Sequence, residues 1–201
     1  MNRLIIIGAD GHGNAIADNA LKNGYKNICF VDDNITGDVM GFSIIGTSED
    51  IERLNDGNTD FIIGIGNNAV RKTIAEMYNV NWISMVHPSA QVAFNAEIGK
   101  GTVVMANAVI NVCATVGEHC IINTSAVVEH DSVIENYVHI SPNAALGGTV
   151  RIGELTHIGI GTTVKNNTNI CSECTIGAGT VVVKNITGKG IYAGVPSRII
   201  G

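Results

Sequence analysis

Between residues 92 and 182 one aliphatic residue returns at every sixth position: Val92, Ile98, Val104, Ile110, Val116, Ile122, Val128, Ile134, Ile140, Leu146, Ile152, Ile158, Val164, Ile170, Ile176 and Val182. Four places later stands a small or β-branched residue, as at Ala96, Thr102, Ala108, Ala114, Cys120, Ala126, Ser132, Ala144, Thr156, Thr162, Thr168 and Thr180. A helix repeats at about 3.6 residues and a hairpin meander at about two, so neither keeps a strict period of six. A parallel β-helix does. Each hexapeptide then makes a short strand and a corner, and three close one triangular coil. Coils stack at the strand spacing of about 4.8 Å, with the aliphatic and small residues inward. The glycines one place after the aliphatic residue (Gly99, Gly117, Gly153, Gly159, Gly177) and Asn111, Asn123, Asn166 and Asn167 are expected to take the strained corner conformations.

Ahead of the repeat the pattern changes. Residues 3–8 read as a buried parallel strand closing in a glycine turn, Gly8-Ala9-Asp10-Gly11-His12-Gly13. A helix is expected over residues 14–22 and a second strand over 27–31, ending at Asp32 and Asp33. This β-turn-α-β order, with an acid closing the second strand, opens nucleotide-binding folds. The spacing is G-x-x-G-x-G and not G-x-G-x-x-G, which argues against a redox dinucleotide. Residues 46–54 suggest a turn and short helix, and 60–65 a third buried strand ending in Gly66-Asn67-Asn68. A helix over 69–78 and a last strand over 81–86 precede His87-Pro88, where a domain of residues 1–87 is expected to give way to one of 88–201. From about residue 187 a turn-rich tail breaks the period and is the natural cover for the last open coil.

The low aromatic content (4%) and 24 glycines suit a narrow prismatic core without room for large rings. A net charge of −6 without a basic run argues against a nucleic-acid backbone as partner. The apolar run over residues 4–7 is too short for a secretion signal or membrane span, so a cytoplasmic protein with reduced cysteines is expected. Cys171 and Cys174 form a lone Cys-x-x-Cys; the repeat puts one at a corner and one inward, so their side chains are expected to diverge, and no metal is expected there.

Histidines and carboxylates are not needed by the columns, so His119, His130, His139 and His157 are expected outward or at corners, His119 as a plain exposed residue. His139 and His157 lie one coil apart and should stack. His130 precedes His139 by half a coil, so the two can meet only between copies, as in a homotrimer with clefts between neighbouring prisms. In Glu129-His130-Asp131 the imidazole can act as a general base, with a carboxylate fixing its tautomer. Asp131 reaches it only if a corner bends the chain there; Glu118 or Glu135 is the alternative. In the cleft of the first domain, Asp10, His12, Asp32 and Asp33 are candidates for contacts with a ribose, base or phosphate.

The glycine-loop α/β domain ending in Asp32-Asp33, the strand end Ile65-Gly66-Asn67-Asn68, the unbroken hexapeptide repeat, the run from Ile122 through Val128-Glu129-His130-Asp131, and the closing Gly194-Val195-Pro196-Ser197-Arg198 resemble the NeuD/PglD family of sugar acyltransferases. The resemblance spans nearly the whole chain. It implies a Rossmann-like α/β domain followed by an all-β left-handed parallel β-helix, assembled as a homotrimer. It also implies an acetyl-CoA-dependent N-acetyltransferase acting on the 4-amino group of a nucleotide-linked, UDP-type 4-amino-4,6-dideoxy sugar in glycan biosynthesis. His130 would be the general base, Asp131 its acidic partner, and the Gly148 amide the donor to the thioester oxygen. His139, Ile160 and Ala178 would contact acetyl-CoA. Asp10, Gly11, His12, Asp32, Asp33 and Gly66 would contact the nucleotide sugar. The same family holds O-acetyltransferases of sialic acid and other sugar hydroxyls, the nearest rival reading. A γ-carbonic-anhydrase-type hydratase sharing three histidines between copies, and a non-catalytic scaffold, are the others.

Overall fold

The computed structural model describes residues 2–201. The N-terminal part is a three-stranded parallel sheet in the order β2-β1-β5, where β1 is Arg3–Ile7, β2 Ile28–Val31 and β5 Thr59–Ile63. Leu4 is in register with Ile28 on one side and Asp60 on the other. Leu4, Ile5, Ile6 and Ile7 are all buried, as a central parallel strand covered on both faces requires. On one face Leu4, Ile6, Phe30 and Ile62 pack with Ile16, Ala17 and Ala20 of helix α1 (Gly11–Lys22) and with Val103 and Met105 of the solenoid. On the other, Ile5, Ile7, Phe61 and Ile63 pack with α2 (Ile51–Leu54) and α3 (Asn68–Met77). A small hairpin of β3 (Asp38–Val39) and β4 (Phe42–Ser43) follows β2.

The strand expected over residues 81–86 divides instead. Trp82 makes only an isolated bridge to Phe61, while β6 (Met85–Val86) leaves the sheet and pairs with Val103–Val104 in the solenoid. Its apolar residues are thus shared between two cores, which a hydrophobic pattern alone does not reveal.

From there the chain winds as a three-sided prism whose faces are sheets of six, five and eight strands, parallel except for the last strand of the chain. Each strand pairs with the one a full coil on, as Val109 with Val127 and Ile121 with His139. Val104, Ile122, Ile140, Ile158 and Ile176 stack in one inner column, and the other two faces contribute matching columns. The buried hydroxyls among them are paired, apart from Thr180 Oγ1, which has no partner among the described residues. Thr102 Oγ1 donates to Gly117 O and accepts from Cys120 N, and Thr156 Oγ1 does the same with Cys171 O and Cys174 N.

The corners differ from expectation in one respect. Positive φ recurs every sixth residue from Gly101 to Gly179, three places after the aliphatic residue, and passes through His119, Asp131, Tyr137 and Leu155. Of the residues expected to take it, only Asn167 does. The glycines one place after the aliphatic residue serve close approach between coils. A Cβ on Gly99 would lie 2.6 Å from the Gly117 backbone, and one on Gly159 2.5 Å from Ile176 O.

The tail closes the eight-stranded face: Gly190–Ala193 pairs parallel with Cys174–Ile176, and Arg198–Ile199 returns antiparallel on it. Cys171 and Cys174 do not diverge. Their Sγ atoms are 3.4 Å apart, because the corner residue Cys171 packs against the same inner core that holds Cys174. Among the described residues no helix is long and apolar enough to cross a membrane.

Candidate active site

The three glycines of the first loop do three different jobs. Gly8 turns the chain at φ +100°, and a Cβ on it would lie 2.8 Å from the Ile65 side chain. Gly13 lets α1 close on the sheet, where a Cβ on Gly64 would come within 2.7 Å of its Cα. Gly11 has open space around it, so a ligand can approach the backbone there. Asp10 caps α1 by accepting from Gly11 N. Beyond the carboxyl ends of the strands lies a cleft of about 260 Å³, lined by Asp10, His12, Asp32, Asp33, Gly64 and Gly66 among others.

Two carboxylates shape its wall. Asp32 accepts from the amides of Ala9, Asn34 and Ile35, which pins the glycine loop to the end of β2. Burial pushes its carboxyl upward, but the three amides outweigh that and hold it below the usual carboxylate range. Asp33 accepts from the amide and hydroxyl of Ser48. Asp32 Oδ1 already accepts two bonds, whereas Asp32 Oδ2 and both oxygens of Asp33 can each accept a second.

The cleft backs onto a file of imidazoles. His12 lies 6.5 Å, centroid to centroid, from His139, which stacks on His157 at 4.7 Å with ring planes 12° apart. Asn123 Nδ2 sits 3.1 Å from His139 Nε2 and donates to it, leaving the proton on a buried Nδ1 that has no hydrogen-bond partner among the described residues. His157 Nε2 is held at 2.8 Å by Ser141 Oγ. His119, expected exposed, is 1% exposed; it stacks on Tyr137 under the edge of Trp82, where the N-terminal domain covers this corner.

Burial, reinforced by the Arg71 cation, lowers the His12 and His119 pKa to about 4; burial, His157 and then Arg71 lower His139 to about 3. These rings are therefore neutral in the native protein. Below their unfolded value of about 6.5 the unfolded chain binds protons that the folded chain refuses, so stability falls as pH falls. Unfolding free energy measured by denaturant titration is expected to drop between pH 6.5 and 4, with each ring adding up to about 1.4 kcal/mol per pH unit. A flat profile over that window would contradict the neutral assignment.

Arg71 is the residue that sequence reasoning missed. It is 1% exposed. Nε donates to His119 O (2.7 Å), Nη1 to Ile65 O (3.1 Å) and Gly66 O (3.2 Å), and Nη2 to Asn68 Oδ1 (2.8 Å) and Tyr137 O (2.9 Å). Asn68 Nδ2 in turn donates to Leu155 O and Thr156 O. His119, Tyr137 and Leu155 are the same corner on three successive coils, so one helix end grips three rungs. Nothing in a lone arginine on an amphipathic helix signals this.

A second group lies on a different edge of the prism. His130 and Asp131 follow the strand Val127–Val128, and Gly148 follows Ala145–Leu146, one coil on. Consecutive strand residues point apart, but Asp131 has φ +58°, and this bend brings its Oδ2 to 2.7 Å from His130 Nδ1. The carboxylate can only accept, so Nδ1 carries the proton and Nε2 is free. The Asp131 hydrogen bond holds the His130 pKa above the ordinary histidine value. Neither Glu118 nor Glu135 is its partner: Glu118 pairs with Lys100 and Glu135 with Arg151. The ring lies over Gly148, where a Cβ would be 2.5 Å from Nε2. On this edge Asn111 and Glu129 side chains cap the amides of Val112 and His130, whereas Gly147 has none to offer Gly148 N.

Ile160 and Ala178 stand exposed one coil apart on a third location, the edge after His157–Ile158 and Cys174–Ile176. Thus Asp10, His12, Asp32, Asp33 and Gly66 meet in one cleft with Gly11 at its mouth and His139 behind it. His130, Asp131 and Gly148 meet elsewhere, and the side chain of His130 is half exposed in the single chain.

A family model described as the PglD N-terminal domain matches residues 3–78. The acetyltransferase domain of PglB from Neisseria gonorrhoeae FA1090, solved in complex with acetyl coenzyme A, is 38% identical, covers 99% of each chain and superposes with a TM-score of 0.97. A variant of perosamine N-acetyltransferase from Caulobacter crescentus, solved with CoA and GDP-perosamine, is 30% identical over 100% of this chain and 98% of its own, with a TM-score of 0.96. The UDP-N-acetylbacillosamine N-acetyltransferase of Bacillus subtilis (strain 168) is 49% identical over 49 residues, a stretch that spans 23% of that protein. The solenoid matches the left-handed β-helices of these acetyltransferases.

Proposed function

The chain belongs to the NeuD/PglD family of sugar acyltransferases, and from that premise we propose that it transfers the acetyl group of acetyl-CoA to the 4-amino group of a UDP-linked 4-amino-4,6-dideoxy sugar. The observation that carries this is the pairing of two separate devices on one chain. A cleft of nucleotide dimensions is edged by Asp10, Asp32, Asp33 and Gly66, with His12 at its helix end. A half-exposed imidazole on the solenoid is oriented by a carboxylate. The likeness to enzymes solved with acetyl-CoA, CoA and GDP-perosamine supports the same two-substrate chemistry.

His130 Nε2 takes the proton of the amine as the nitrogen attacks the thioester carbon, Gly148 N–H donates to the developing oxyanion, and CoA leaves as the thiolate. A hydrogen bond from Nδ1 to Asp131 stabilises the imidazolium that forms. His139, Ile160 and Ala178 hold the CoA arm. These residues lie on different prism edges from His130, so a complete site takes residues from two copies, and the assembly that closes on itself is a homotrimer.

Purified protein incubated with labelled acetyl-CoA and a panel of amino-sugar nucleotides is expected to give an acetylated UDP-sugar whose label survives mild alkali. Label transferred to free sialic acid, or lost in alkali, would instead establish an O-acetyltransferase. The base must be neutral to act, so kcat/KM should rise with pH through the His130 pKa, which Asp131 places above the ordinary histidine value. Asp131→Ala should move that acid limb to lower pH and reduce the plateau rate. An unmoved limb would mean that Asp131 does not set the basicity of His130.

A further inference from the structure

Arg71 is a cation inside the protein that forms no ion pair among the described residues. Burial lowers its pKa only to about 10, so the charge stays. Removing a guanidinium from water without a counter-ion costs stability, and apolar side chains of similar size commonly hold elements together as well or better. The arrangement therefore points to a use for the charge beyond adhesion.

What it grips suggests that use. Its Nη1 draws in the carbonyls of Ile65 and Gly66, two successive peptides of the loop that forms one wall of the cleft. Both peptides are trans, so their N–H groups, those of Gly66 and Asn67, are turned away from Arg71. Neither N–H has a backbone partner among the described residues. They precede helix α3, whose first turn Asn67 caps through Val70 N. Nε and Nη2 meanwhile anchor on His119 O and Tyr137 O of the solenoid, the latter two residues before His139.

We propose that Arg71 is a positioning residue for the transfer reaction. It fixes the Ile65–Gly66 loop to the solenoid so that the Gly66 and Asn67 amides receive the diphosphate of the acceptor, and the diphosphate supplies the counter-charge that the guanidinium lacks. The inference rests on the nucleotide-sugar reading of the cleft. Lysine keeps the charge but not the fork, and cannot reach loop and corners together.

The test is a calorimetric titration of UDP, and separately of acetyl-CoA, into the wild type, Arg71→Lys and Asn68→Ala, with thermal melts on each. UDP is expected to bind at least about tenfold more weakly to Arg71→Lys, as a misplaced binding group implies, with acetyl-CoA affinity unchanged and KM for the sugar nucleotide rising in parallel. If Arg71→Lys does not fold, Asn68→Ala decides: it removes one acceptor of Nη2 at a half-buried position, and UDP should again weaken selectively. Wild-type UDP affinity in a folded Arg71→Lys, or in Asn68→Ala when that variant decides, would overturn the assignment, as would equal loss of both ligands with a lowered melting temperature. Failure of the wild type to bind UDP, GDP or dTDP would remove the nucleotide reading itself, and this assignment with it.

Discussion

His130→Ala is expected to lower kcat by about 10²- to 10⁴-fold, the range that a positioned general base contributes, with acetyl-CoA still binding at wild-type affinity. The ring lies outside the inner columns of the solenoid, and both it and Asp131 have half-exposed side chains, so the substitution removes chemistry without opening a cavity. Steady-state kinetics for kcat and calorimetry for acetyl-CoA separate the two effects. Turnover near that of the wild type would remove His130 from the mechanism, whatever the fold.

The second large effect is expected at Gly148, from a single added methyl group. Its φ is an ordinary one, so the backbone tolerates alanine, but the new Cβ would sit 2.5 Å from His130 Nε2. The imidazole must swing off, and the thioester oxygen loses its snug approach to the amide. A displacement of about 1 Å at a reacting group can cost about 10²-fold, so kcat for Gly148→Ala should fall by about that factor. The melting temperature should not move, because the displaced ring has solvent to move into. A variant with full kcat would mean that the ring does not rest over Gly148 in the working enzyme.

These two positions illustrate how much of the candidate site was legible in the amino-acid sequence. His130 stood out because the repeat has no use for it, and the doubt over its partner was resolved by a backbone torsion: Asp131 falls on the sixth-residue corner and takes φ +58°. The period that revealed the solenoid also set that torsion, but the phase of the corners within the hexapeptide was misread. Glycine at Gly99, Gly117, Gly153, Gly159 and Gly177 suggested left-handed backbone, whereas the left-handed residues include Thr149, Leu155 and Tyr137, whose side chains ordinarily resist it. Stacking of rungs over-determines those torsions, and a composition rule sees only the residue. The glycine turn was read only in part, since helix α1 begins at Gly11 and not at Asn14, and His119 was read badly. Gly8 and Gly13 answer to the distant Ile65 and Gly64, which a local turn rule does not see. The burial of His119 depends on Trp82 and on helix α3 docking from another domain. Arg71 is the extreme case, since its partners are backbone carbonyls of Ile65, Gly66, His119 and Tyr137, and carbonyls leave no trace in side-chain patterns.

The most direct test of the account is the structure of the assembled protein with acetyl-CoA bound. The thioester oxygen should lie within about 2.7–3.1 Å of Gly148 N, with the thioester carbon facing His130 Nε2 of that chain and the CoA arm running over His139, Ile160 and Ala178 of a neighbouring copy. A thioester seated inside a single chain and away from His130 would contradict it.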